Sequence, residues 1–134
     1  MFKKMSKKKM IICLVVVIIL FFVGNALHQL VSSFRYISNI VITTPDISRI
    51  QDGVYNGVFE TPILSAEVDV VVEDHQITEI VINNHNHGRG AGAEVITEEV
   101  IINQSVEVDT ISGATSSSLV ILKAIQNALE SGAN

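Results

Sequence analysis

The sequence predicts an α+β fold, a small antiparallel sheet with two packed helices, preceded by one N-terminal transmembrane helix. Three observations predict it. Residues 10–23 form an uninterrupted apolar run. Residues 66–73 and 76–82 are two β-branched runs separated only by Asp74-His75, the spacing of a hairpin. Residues 117–129 repeat apolar side chains at helical spacing. The chain has 134 residues, and the length beyond the apolar run suffices for one modest domain.

The apolar run extends through Gly24 to Ala26-Leu27 with only Asn25 polar. Gly24-Asn25-Ala26 offers a small-x-small cleavage pattern, so a cleavable signal peptide competes with an anchor. Apolar character resumes at Leu27, Leu30 and Val31, which favours an uncleaved signal anchor over 10–31. Lys3, Lys4, Lys7, Lys8 and Lys9 make 1–9 a basic cytoplasmic segment and put the domain outside the cell membrane in single-pass topology. Cys13 lies within the apolar run and is expected to be a small buried hydrophobe. As the single cysteine it makes no intramolecular disulfide, and Met10, Ile11 and Ile12 stand where lipidation wants small residues.

The formal net charge is −5, and without those five lysines it is −10. An acidic domain behind a basic terminus argues against nucleic-acid binding, which needs a basic face. It also argues against docking the domain flat on anionic lipid.

Residues 32–50 mix Ser, Asn, Thr and isolated apolars with Pro45, and are expected to be a helix extension and then a spacer. The domain is expected at 51–134. Residues 54–59 alternate like a first strand, with Tyr55 and Phe59 on one face and Val54 and Val58 on the other. In the hairpin Val68, Val70 and Val72 point to the core. His75 is an exposed turn residue where glycine is usual. Residues 83–92 are polar and glycine-rich, hence a loop. Residues 93–104 fit a helix, though Val100-Ile101-Ile102 fits a closing strand equally. Residues 105–109 read as a short strand. The last helix points Leu119, Leu122, Ile125, Ala128 and Leu129 inward, and residues 131–134 form a frayed end.

Between the last strand and the last helix stands Asp109-Thr110-Ile111-Ser112-Gly113-Ala114-Thr115, followed by Ser116-Ser117-Ser118. Gly113 lets the backbone adopt a conformation that Cβ-bearing residues avoid. Ser116 or Ser117 is placed to cap the helix. Thr115 then falls at the first turn, where the helix dipole favours a bound anion by about 0.3–1 kcal/mol. Asp109 is either a turn-initiating residue or an acceptor for loop N–H groups.

These residues resemble the flavin-attachment motif Asp-x-x-Ser/Thr-Gly-Ala-Thr/Ser of the FMN-binding domain family. Asp109, Ser112, Gly113, Ala114 and Thr115 occupy the motif positions, and Thr110 stands where Ala or Gly is usual. The resemblance covers roughly residues 50–130, including Asp52-Gly53-x-Tyr55-x-Gly57, the hairpin, the His-Gly loop and the closing helix. It implies FMN as cofactor, attached through its phosphate to Thr115, with Ser112, Gly113, Ala114, Asp109, Ser116, His87 and Gly88 around it. An unactivated Thr hydroxyl is a weak nucleophile, and no basic side chain lies near it in sequence. The resemblance therefore implies a separate flavin transferase, similar to the ApbE family, which uses FAD and a divalent metal.

The resemblance further implies an electron carrier with redox proteins as donor and acceptor, similar to the flavinylated subunits of sodium-pumping NADH:quinone oxidoreductase and Rnf complexes but much shorter. Such a carrier is not an enzyme by itself. Three other readings compete: a non-covalent FMN-binding or sensing module, a passive surface interaction domain, and a hydrolase with Ser112 or Thr115 as nucleophile and His85 or His87 as base. The hydrolase lacks a Gly-x-Ser-x-Gly elbow. Tyr55 and Phe59 either join the core or support the flavin ring.

His85-Asn86-His87-Gly88-Arg89-Gly90 is the second constellation. Two alternating His are too few for the four ligands of a closed metal site or the three of a catalytic one, so no metal is expected there. Arg89 either pairs with the FMN phosphate or is solvated.

Overall fold

A computed structural model describes residues 6–88 and 90–134. Lys3, Lys4 and Arg89, and with them the readings placed on those side chains, lie outside the described residues. The chain forms two compact units, one ending at Ser32 and one comprising Ser33–Asn134.

Helix α1 spans Lys7–Ser38, and its most apolar 18 residues have a mean hydropathy of 3.0 with none of that window buried. Its 32 residues extend about 48 Å at 1.5 Å per residue. The hydrocarbon layer is about 30 Å thick, so the helix is long and apolar enough to cross a membrane. Cys13 is exposed on α1, not buried as expected. The reason is that this stretch of helix has no protein packed around it.

Three strands, β1 (Gly53–Glu60), β2 (Ser65–Glu73) and β3 (Gln76–Asn86), pair antiparallel in the order β1-β2-β3. Val68, Val70 and Val72 are fully buried on the inner face, as the alternation predicts. Tyr55 and Phe59 share the inner face of β1, while Val54 and Val58 face out. Asp74 and His75 both have left-handed backbone, with φ of 50° and 59°, the signature of a two-residue hairpin turn. His75 adopts it without being glycine because its Nδ1 lies 3.0 Å from the Ile50 carbonyl, and it stays exposed. Strand β3 continues four residues past the expected end, since Ser65–Glu67 of β2 provide ladder partners.

After a 3-10 turn at Ala91–Val95, helix α2 runs Ile96–Asn103 and ends at Gln104, whose φ is 51°. Val100 is buried on α2, so the strand alternative for 100–102 is not realised. Residues 105–109 begin in a bend, continue as irregular chain and join no ladder, contrary to expectation. At the outer edge of β3, the Ile77 backbone bonds to a side chain instead. Gln104 accepts the Ile77 N–H through Oε1 (2.7 Å) and donates Nε2 to the Ile77 carbonyl (2.8 Å). Buried Val106 instead donates its N–H to Thr44 Oγ1 at 3.1 Å.

Helix α3 (Thr115–Gly132) begins two residues before and ends three after its expected bounds. It is buried at Val120, Ile121, Leu122, Ala124, Ile125, Ala128 and Leu129, while Leu119 is half-buried. A Cβ at Gly57 would collide with the Ala124 carbonyl and stand 2.6 Å from the Ala128 nitrogen, so α3 rests directly on the backbone of β1. The tail is not loose from 131 onward: Gly132 closes on Tyr55 and Ile50 at the helix end. Residues 33–50, read from sequence as mostly spacer, carry fully buried Ile37 and Ile50 and belong to the same compact unit as the sheet.

Candidate functional site

Loop 109–114 turns into α3 through a β-turn, closed by the Ala114 N–H donating to the Ile111 carbonyl at 2.9 Å. Gly113 occupies the third position with φ of 80°, which a type II turn requires there. Space around its missing Cβ is open, so the glycine serves backbone conformation and not packing. Ser118 ties the loop down: its hydroxyl accepts the Ile111 N–H at 3.0 Å and donates to the Ala114 carbonyl at 2.9 Å. Sequence reasoning misses this anchor, and the expected cap at Ser116 or Ser117 is absent. The helix starts earlier, with Ala114 as its N-cap and no side-chain cap bond.

The first-turn N–H groups of a helix have no partner within it. Here no side chain caps them and no acidic residue occupies the first turn. The result is an N-terminus open to an anion. Thr115 is exposed at this turn, as are Ser112 and Gly113, while Ala114 and Ser116 are half-buried. Asp109 is exposed and makes no side-chain hydrogen bond among the described residues, so loop closure rests on Ser118. Asp109, Thr110 and Ser112 line one side of a ≈ 530 Å³ cavity whose other side is Glu99 and Asn103 of α2, with Glu107 between. The carboxylates of Glu99, Glu107 and Asp109 make that cavity unsuited to a phosphate, whereas the start of α3 carries no acidic residue in its first turn.

Strand β3 and the turn after it bring the histidine loop to the same place. A Cβ on buried Gly90 would run into the Ser117 hydroxyl and lie 2.6 Å from Ser117 Cβ. The loop therefore packs on α3 two residues from Thr115. Gly88 has φ of 55° and is exposed, and His87 is half-buried with Nδ1 3.1 Å from the Gly88 carbonyl. The His85 side chain is 2% exposed, with Nδ1 3.1 Å from Glu94 Oε1. Tyr55 is not at this end. It packs at Gly132, and 17 residues of helix at 1.5 Å each put it about 25 Å from Thr115. Phe59 is half-buried and stacked on Tyr36 with ring centroids 6.5 Å apart. Tyr36 falls outside the domain boundary read from sequence.

The chain is thus an α+β domain, with an uncapped helix start beside a glycine turn, that follows a candidate membrane helix. The family model described as FMN-binding domain matches residues 40–130. The chain belongs to the FMN-binding domain family. No curated protein and no solved structure matches it.

Proposed function

We propose that this chain is a membrane-tethered flavoprotein electron carrier, with FMN joined through its phosphate to Thr115 by a separate flavin transferase. The observation that carries the reading is Thr115 itself, an exposed hydroxyl at the first position of an uncapped 18-residue helix within the matched domain. The residues present fit the group. The free N–H groups of the first α3 turn suit a phosphate, Gly113 leaves open space for its approach, and Ser112, Ala114 and Ser116 flank it. Asp109 stands in the same loop, and the His87-Gly88 turn precedes Gly90, which packs on Ser117.

In the attachment, Thr115 Oγ bonds to the FMN phosphorus of FAD, the pyrophosphate bond to AMP breaks, and the hydroxyl proton goes to a base. That base belongs to the transferase in this reading, because no described side chain hydrogen-bonds to Thr115 Oγ. The bound flavin supplies the redox chemistry, and the protein supplies tethering and tuning. Lysines before α1 favour a cytoplasmic N-terminus and an extracytoplasmic domain in single-pass topology. Outside the membrane a covalent bond keeps the cofactor from diffusing away. The partners are then a membrane-side electron donor and an external acceptor, and the chain alone is a carrier and not an enzyme.

The test is the intact mass of the full chain, coexpressed and exported with a flavin transferase, beside Thr115→Ala. A gain of FMN less one water in the wild type alone supports covalent attachment to Thr115. Bound flavin without a mass gain replaces it with non-covalent binding. A colourless wild type overturns the flavin reading in favour of an interaction domain.

A further inference from the structure

Between Met10 and Val31, helix α1 is apolar on every side except one. Its polar side chains there are Asn25, His28 and Gln29. At 3.6 residues per turn the three share an arc about 100° wide. All are exposed, and none of their side chains hydrogen-bonds within the described residues. Asn25 lies six residues before Val31, about 9 Å inside the end of the apolar span. Hydrocarbon offers an amide no partner, and such side chains in a membrane helix bond across to another helix. Counting back from Asn25 in steps of four, three and four reaches Phe21, Ile18 and Leu14, and three forward reaches His28. Alternating steps of three and four keep one seam against the partner in a two-helix coil.

We propose that α1 pairs with the α1 of a second copy of this chain along the seam Leu14, Ile18, Phe21, Asn25 and His28, with the two Asn25 amides bonded to each other. The inference rests on α1 crossing the membrane and does not depend on FMN. An amide carries both donor and acceptor, so it complements itself, as a two-fold interface requires. The basic segment before α1 keeps both N-termini on one side, so the copies run parallel and the two Asn25 meet at one depth. No charged side chain in 10–31 calls for an opposite charge from a different protein. Elsewhere around the span the side chains are apolar and exposed, and lipid tails serve them as well as protein does. The polar arc therefore fixes which face is covered.

The experiment is disulfide crosslinking of the full chain in native membranes, in a Cys13→Ala background because Cys13 is the single cysteine. Leu14→Cys and Ile18→Cys lie on the seam, and Val16→Cys lies two residues from each, on the opposite face. With an oxidant, the expected result is a dimer on non-reducing gels at both seam positions and little at Val16. Adding Asn25→Leu lowers the dimer yield by at least about threefold, and Asn25→Gln, which keeps the amide, retains it. Absence of dimer at the seam, equal yield at Val16, or a dimer that survives Asn25→Leu each overturns the proposal. So does a seam cysteine joined only to a different membrane protein. Carbonate extraction of the same membranes separates the two readings. A wild type that is extracted overturns the membrane span and the pairing together, whereas a resistant chain without dimer overturns the pairing alone.

Discussion

Ser118 does at one position what sequence reasoning shares among three other side chains. Its hydroxyl is fully buried and serves both as acceptor and as donor to the loop that presents Thr115. Ser118→Ala leaves the Ile111 N–H without its partner, and an unsatisfied buried donor costs about 1–3 kcal/mol. The expected outcome is a lower urea midpoint together with less complete flavin attachment, although Thr115 is intact. The motif itself is legible in the sequence, because glycine, hydroxyl residues and a following apolar period have local causes. The tie at Ser118 is not, because three consecutive serines look alike until the helix phase fixes which one turns inward. Ser118 stands four residues before Leu122 and seven before Ile125, and so shares their buried face. The pairing of His87 with Gly88 and His85 with Glu94 is hidden for a similar reason: tautomers follow from acceptors brought in by folding.

At the scale of elements, each side of the sheet shows a different solution to exposed polar groups. The free edge of β3 is closed at Ile77 by the Gln104 side chain, and β1 has its Val58 carbonyl taken by Asn127 Nδ2 at 2.9 Å. Both devices limit edge-to-edge pairing with another chain. On the outer face, Asp69 of β2 accepts Asn56 Nδ2 at 2.8 Å and Asn83 Nδ2 at 2.7 Å. These bonds, the Asn56 bond foremost, hold its carboxyl below the ordinary value of 3.8. A folded-state value below the unfolded one means the ionised form favours the fold. That contribution is present above the ordinary carboxylate value and is lost as pH falls through the depressed one. Asp69→Asn is therefore expected to have a lower urea midpoint than wild type at neutral pH, with the gap closing below pH 3.8. The hairpin is legible from its two valine-rich runs, since alternation and a two-residue gap are local signals. The false strand at 105–109 shows the limit. Val106 and Val108 have the right propensity, but the Val106 N–H goes to Thr44 Oγ1 and not to a strand.

For the whole molecule, the apolar helix and the compact unit after Ser32 set the division of labour. Deleting residues 10–31 should move the chain from the carbonate-resistant membrane fraction to the soluble one. The domain boundary is the least legible large feature. The polar mixture of residues 33–50 resembles a linker, yet isolated apolars such as Ile37 and Ile50 are enough to fasten it to the core.

Helix α3 carries one more implication. Its first residue bears the proposed cofactor bond, and nearly every following turn is packed into the interior. Suppose random variants were scored only by whether the cells turn yellow. Pale clones would map to Ala124, Ile125 and Ala128, deep in the protein, as readily as to the exposed loop. Colour alone would then outline the path of a helix, and intact protein yield would be needed to separate a missing handle from a broken foundation.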